Sequence, residues 1–178
     1  MPRLFVAIDL PGNVREELAS LREELPGGRW VAGNQLHLTI RFIGEVEAQQ
    51  QGDIDAALRH VHEDPFSLTL RQVGHFGRPG RVLWVGMDRP SGLLALQQEI
   101  EAALVRAGIP PEERPFSPHI TLARLKGTPS LLLAAYEGEH RAFATSTFPV
   151  TEFHLYSSTL TPTGALHRRE GSYQLTSS

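Results

Sequence analysis

Two short stretches carry residue types that can do chemistry together: His37-Leu38-Thr39-Ile40 and His119-Ile120-Thr121-Leu122. Each reads histidine, aliphatic, threonine, aliphatic. Side chains on a β-strand alternate between faces, so residues two apart point the same way. His37 and Thr39 therefore share one face, and Leu38 and Ile40 take the other. The second copy sorts identically. The aliphatic faces can bury in a core, which leaves the His/Thr faces to meet something polar. Imidazole titrates near neutral pH. A threonine hydroxyl can donate to an anionic oxygen while accepting from elsewhere. Two of each, on rigid strands, can grip a phosphate from both sides.

A single His-x-Thr in a strand is ordinary packing. The repeat, with matching apolar partners, is what points to a site. Arg41-Phe42-Ile43 follows the first copy and Ala123-Arg124-Leu125 the second. Metal binding is the competing use of two histidines. Zinc takes three or four protein ligands, and neither motif offers a second histidine or a carboxylate at a ligating position. Asp9 is the nearest acidic candidate from another strand. The expectation is therefore no metal and no cofactor. His75, His140, His154 and His167 have no paired context and read as surface or packing residues. His60 and His62 read as solvated charge at a helix end.

The elements that must position these motifs follow from the rest of the chain. Its 178 residues, 40% hydrophobic, suffice for one substantial core or two small lobes sharing an interface, and no linker separates independent domains. The expectation is a single domain over 1–178. The net charge of -3 excludes the overall basic excess of a non-specific duplex binder, so nucleic-acid contact should be local. Cysteine is absent, which excludes disulfides, a thiol nucleophile and thiolate-bound zinc. The start shows no hydrophobic secretory signal, and no apolar run reaches membrane-spanning length. A soluble, cytoplasmic and monomeric protein is the expectation.

Arg3 to Leu10 reads as a central strand. A helix capped by Asn13 follows, with Val14, Leu18, Leu21 and Leu25 as its apolar stripe. The first motif strand spans about Leu36 to Ile43. A second helix covers about Ala48 to His62. Phe66 to Val73 and Arg81 to Met87 form a hairpin. Ser91 caps a third helix, Gly92 to Ala107, with Leu93, Leu96, Ile100 and Leu104 on one stripe. The second motif strand is about His119 to Leu125, and Leu131 to Tyr136 can form a short helix. Strands are expected over Ala142–Phe148, Val150–Ser157 and Ala165–Thr176. This order predicts an α+β fold of two similar halves with mixed or antiparallel sheets, helices outside, and the motif faces meeting in a cleft.

At these residues the chain resembles a known family. The twin motifs are similar to the His-x-Thr-x signatures of the two-histidine phosphoesterases. Arg3 to Pro11, Leu36 to Val46, Arg114-Pro115-Phe116 before Pro118-His119, and Val150 to Ser158 resemble the RNA 2',3'-cyclic phosphodiesterase branch, historically named 2'-5' RNA ligases. The resemblance implies a bilobal, pseudo-two-fold fold with two sheets facing a central groove. It also implies metal-independent hydrolysis of a terminal 2',3'-cyclic phosphate to a 2'-phosphate, with His37 as proton donor and His119 as proton acceptor. The implied partners are RNA ends, tRNA fragments among them, or cyclic nucleotides.

In that chemistry Thr39 and Thr121 bind the non-bridging oxygens. Arg124 is the candidate phosphate clamp, and the family carries an arginine there. Strict alternation puts Arg124 on the face opposite Thr121, so a bulge or the strand end must turn it inward. Alternation places Arg41 with His37 and Thr39, although the family pattern does not require it. Phe5 and Tyr156 each have two readings, a ring stacked on the terminal base or a core aromatic. Reverse chemistry, joining RNA through a 2'-5' linkage, and a non-catalytic binder of RNA ends or nucleotides are the alternatives. No nucleotide-binding loop of the G-x-x-x-x-G-K-[ST] kind is present for ATP-driven ligation.

Overall fold

The structure, a computed structural model, describes residues 2–177. Among these residues, ten strands and four helices alternate along the chain. They are β1 (Arg3–Asp9), α1 (Gly12–Ala19), β2 (Gly28–Trp30), β3 (His37–Glu45), α2 (Ala48–Leu58), β4 (Phe66–Leu68) and β5 (Leu70–Phe76). There follow β6 (Val82–Met87), α3 (Ser91–Arg106), β7 (Ile120–Leu125), α4 (Ser130–Glu139), β8 (Phe148–Val150), β9 (Glu152–Thr161) and β10 (Gly164–Gln174). One sheet has the order β10-β9-β1-β3, a second β2-β7-β6-β5, and β4 pairs with β8. Every one of these ladders is antiparallel, which settles the choice left open between mixed and antiparallel sheets. The fold is α+β. Each four-stranded sheet carries one motif, and β3 packs against β7.

β1 is buried on both faces, as its apolar run requires. Leu4, Val6 and Ile8 enter the main core, while Phe5 and Ala7 cluster with Tyr156 on the other side. The main core runs through both four-stranded sheets and takes the apolar stripes of the helices. On α3 these are Leu93, Leu96, Ile100 and Leu104, all fully buried.

Local differences from the sequence reading have identifiable causes. Pro11 and Pro90, not Asn13 and Ser91, occupy the cap positions of α1 and α3. Both hold extended backbone and neither helix has a side-chain cap. α1 ends at Ala19 rather than near Leu25: the Leu21 and Arg22 N–H groups donate to the Leu18 and Ala19 carbonyls in tighter turns, and the Tyr136 hydroxyl donates to the Leu21 carbonyl at 2.8 Å. Leu21 and Leu25 are buried all the same. The single strand expected over Phe66–Val73 is split at Thr69, between β4 and β5. The strand expected over Ala142–Phe148 reduces to one bridge, Ala144 to Arg71, because the Thr145 hydroxyl accepts the Leu70 N–H at 3.1 Å in place of a strand carbonyl.

The first motif strand contains the difference that matters most. The β1–β3 register runs Asp9↔His37, Ile8↔Leu38 and Ala7↔Thr39, then Val6↔Arg41 and Phe5↔Phe42. Ile40 is the extra residue of a bulge, and a bulge re-aims the side chains beyond it. Arg41 therefore shares the face of Val6 and not that of His37. It is 8% exposed and ties β3 to α3 and the following loop: Nε donates to Glu101 Oε2 at 2.9 Å and Nη2 to the Pro110 carbonyl at 2.5 Å. Arg41→Ala leaves Glu101 without its partner and opens a gap beneath β3. The expected cost is about 2–4 kcal/mol, read from urea unfolding. A loss below about 0.5 kcal/mol, the level of a surface substitution, would show that this pair does not hold the strand to the helix.

Candidate active site

The His37 half of the site is built on three neighbouring strands. Antiparallel partners share a face, so the pairing of Asp9 with His37, Ala7 with Thr39 and His154, and Phe5 with Phe42 and Tyr156 puts all of them on one face of the sheet. His37 is 8% exposed. Its ring centroid lies 4.7 Å from that of Tyr156, 5.5 Å from His167 and 6.2 Å from Phe5. Its Nε2 stands 3.5 Å from Asp9 Oδ1. Burial pushes the His37 imidazole down to about 4, and the Asp9 charge opposes this without reversing it. His37 is therefore neutral at pH 7 in the unliganded protein.

Asp9 is the hub of that half. Oδ1 accepts the Tyr156 hydroxyl at 2.5 Å, Oδ2 pairs with Arg169, and His154 Nε2 stands 3.5 Å from Oδ2. Burial alone would raise the Asp9 carboxyl. The Tyr156 bond and the nearby His154 and Arg169 outweigh it and hold the group below the ordinary carboxylate range. His154 is fully buried, its Nδ1 2.9 Å from the Ser172 hydroxyl.

The second half is more open. His119 precedes β7 and is half-buried. Its Nδ1 lies 2.8 Å from the Ser117 carbonyl. A carbonyl can only accept, so Nδ1 carries the proton and Nε2 of the neutral ring is left with a free lone pair. Phe76 packs edge-on against the ring, centroids 4.9 Å apart. The β6–β7 register runs Val85↔Ile120 and Trp84↔Thr121, then Leu83↔Ala123 and Val82↔Arg124, with Leu122 as the extra residue. This bulge returns the exposed Arg124 to the face of Thr121, as the clamp reading requires. The two lobes thus repeat one device. His37 matches His119, Thr39 matches Thr121, and Phe42 occupies the position of Arg124.

Several sequence readings change. Phe5 is only 5% exposed and stacked on Tyr156 at 5.4 Å, so it packs behind His37 and offers no open face to a base. Tyr156, 7% exposed, is a hydrogen-bond donor to Asp9 rather than a stacking platform. Phe42 and Phe76 are the aromatics on these faces with large exposure, 68% and 40%. Four of the other histidines have neighbours: His154 and His167 surround Asp9 and His37, His75 Nδ1 pairs with Glu137, and His140 Nε2 lies 3.9 Å from Glu23. The available signal was alternation. Phe5, Ala7 and Asp9 share a face of β1, and His154 shares one with Tyr156. Choosing the face needed the strand order. Among the described residues, the group whose ligand atoms converge closely enough for a cation is Glu23, Glu139 and His140, which contains neither motif histidine. Among them, too, no helix is long and apolar enough to cross a membrane.

Comparison with known proteins shows the family. A sequence model of the 2'-5' RNA ligase superfamily matches residues 10–161. The chain is 38% identical over 160 residues to the RNA 2',3'-cyclic phosphodiesterase of Escherichia coli (strain K12), covering 88% of this chain and 86% of the relative. It is 36% identical over 174 residues to the Thermotoga maritima protein of the same name, covering 93% and 91%. The crystal structure of E. coli LigT complexed with 3'-AMP superposes with a TM-score of 0.82 at 33% identity, covering 99% of this chain and 100% of that one. The chain belongs to the 2'-5' RNA ligase superfamily.

Proposed function

We propose that this chain hydrolyses the 2',3'-cyclic phosphate at RNA 3' ends to a 2'-phosphomonoester, with His119 and His37 as base and acid. The observation that carries this reading is the repeated bulged strand, which presents a histidine and a threonine from each sheet on faces turned from the core. The chain's similarity to RNA 2',3'-cyclic phosphodiesterases supports it.

In this reaction a water oxygen attacks phosphorus and the bond from phosphorus to the ribose 3'-oxygen breaks. The water proton passes to His119 Nε2, whose lone pair the Ser117 carbonyl keeps available by holding the proton on Nδ1. His37 gives its proton to the departing 3'-oxygen. The phosphate stays on the 2'-oxygen. Thr39, Thr121 and Arg124 hold the non-bridging oxygens as charge accumulates there. No step calls on a metal. The same groups, with an RNA 5'-hydroxyl attacking in place of water and the 3'-oxygen leaving as before, would form a 2'-5' linkage, and the superfamily's name favours keeping it as the second reading.

Burial leaves His37 neutral before substrate arrives. An anionic phosphate beside the imidazole favours its charged form, so substrate binding raises the His37 pKa and loads the acid. Asp9 adds to that pull.

Three measurements test this mechanism. A short RNA ending in 2',3'-cyclic phosphate, with EDTA present, should give a 2'-phosphate. His37→Ala and His119→Ala should each lose about 10²–10⁴-fold in kcat. Loss of wild-type turnover in EDTA would make the histidines metal ligands, and folded wild type with no turnover would favour the non-catalytic binder of RNA ends. Arg124→Ala should lower kcat/KM by about 10–100-fold through one lost charged contact; an unchanged value would remove Arg124 from the phosphate site. Finally, the pH limb reporting His37 should lie higher in the kcat profile than in kcat/KM, because kcat reads the substrate complex and kcat/KM the free enzyme. Coincident limbs would mean that substrate does not charge His37.

A further inference from the structure

A cleft on the His119 side extends beyond the two motifs. It has a volume of about 370 Å³ and is lined by Arg71, Gln72, Phe76, Trp84 and Arg89 together with His119. That volume falls in the range of small-ligand sites, roughly 300–1,000 Å³.

Its floor is an indole laid on glycine. Gly74 is the cross-strand partner of Trp84, and a Cβ there would stand 2.4 Å from the indole Cζ2. A Cβ at Gly86 would stand 3.2 Å from Cζ3. With both side chains absent, the half-buried ring lies against β5 and β6 and turns its other face to the cleft. Phe76, 5.5 Å from Trp84, extends this surface up to the His119 ring.

The wall carries a second unusual feature. Gln72 is the extra residue of a bulge in β5 and holds φ of 65°, a left-handed conformation that L side chains rarely adopt. Strain of this kind persists where the surrounding structure over-determines it, often at a ligand site. Here it sets Gln72, whose amide is both donor and acceptor, in the lining of the cleft. At the far edge Arg71 is matched by Asp88 at 3.0 Å, while the exposed Arg89 adds a further positive charge.

A flat aromatic floor, an amide on the wall and a cation at the edge are the complement of a nucleotide: base face, base edge and phosphate. Such surfaces bind unpaired bases by stacking. The floor begins beside His119, whose ring Phe76 meets edge-on. We infer that this cleft is a nucleotide subsite for RNA chains, stacking the terminal base on Trp84 and Phe76 and holding the phosphate on its 5' side with Arg89. This rests on the phosphodiesterase reading. It deepens that reading by naming the side chains that hold the terminal base and the phosphate on its 5' side.

Two readouts test it. The first is the ratio of kcat/KM for the dinucleotide ApA 2',3'-cyclic phosphate over adenosine 2',3'-cyclic phosphate. It should exceed about tenfold in the wild type and fall towards unity in Arg89→Ala. The second is independent of turnover. Trp30 and Trp84 are the tryptophans of the chain, so Trp30→Phe leaves Trp84 as the sole indole fluorophore. Titration with ApA 2'-phosphate should quench it, and Arg89→Ala should weaken that binding about tenfold. Should Trp30→Phe unfold the protein, loss of quenching in Trp84→Phe relative to wild type reads the same contact. Unchanged Trp84 fluorescence on binding, or an equal loss for both substrates in Arg89→Ala, overturns the subsite. Quenching without hydrolysis of either substrate leaves the subsite standing and overturns the phosphodiesterase reading instead.

Discussion

The site depends on one backbone device used twice, a β-bulge placed immediately after each His-x-Thr. A strand of strict alternation would send residues four and five places beyond the histidine to the wrong faces. The extra residue, Ile40 in β3 and Leu122 in β7, inverts the alternation of the residues that follow it, which in β3 are Arg41 and Phe42 before a second register shift ahead of Gly44. Both extra residues are apolar and buried, which anchors the bulge in the core. In one lobe the inversion turns Arg41 inward to lock the strand onto α3. In the other it turns Arg124 outward beside Thr121. The same geometry thus yields a structural arginine in one sheet and a candidate phosphate ligand in the other. The difference is only which position of the repeat carries the arginine.

The two histidines occupy the same place in the repeat but different environments. His37 is enclosed by Asp9, Tyr156, His154 and His167, on a sheet whose neighbouring strands are all long. His119 stands before its strand begins, fixed by a backbone carbonyl and bounded by an exposed phenylalanine. The acid–base pair proposed above would use such asymmetry. One imidazole must be able to keep its lone pair, and the other must take up a proton when an anion arrives. Burial against a carboxylate gives His37 that response, and the Ser117 carbonyl gives His119 its tautomer.

Asp9 shows how the first half is held together. Its carboxylate collects a tyrosine hydroxyl, an arginine and two imidazoles, from strands adjacent in space and up to 160 residues apart in the chain. The polar cluster behind His37 is thereby a rigid wall. On the His119 side, the glycine-floored cleft provides open surface instead.

The pairing of histidine with threonine, the opposite placement of their aliphatic neighbours, the α+β order and the α3 stripe were all legible from residue type and spacing. These are short-range properties, set by the two-residue and 3.6-residue periods of the backbone. The resemblance to the two-histidine phosphoesterases was legible for the same reason, since its motifs are local. What tertiary structure alone decided was which strands became neighbours and where alternation broke. Arg41 was placed with His37 by periodicity, and Arg124 against Thr121. A single inserted residue per strand reversed both, because a ladder's register depends on the partner strand as much as on its own sequence. The fates of Phe5 and Tyr156 turned on the same point: β9 had to lie beside β1, and β10 beside β9, before either ring could be seen to be covered. Sequence by itself determined the chemistry available to this protein. The pairing of distant strands decided which of those groups face a substrate and which face each other.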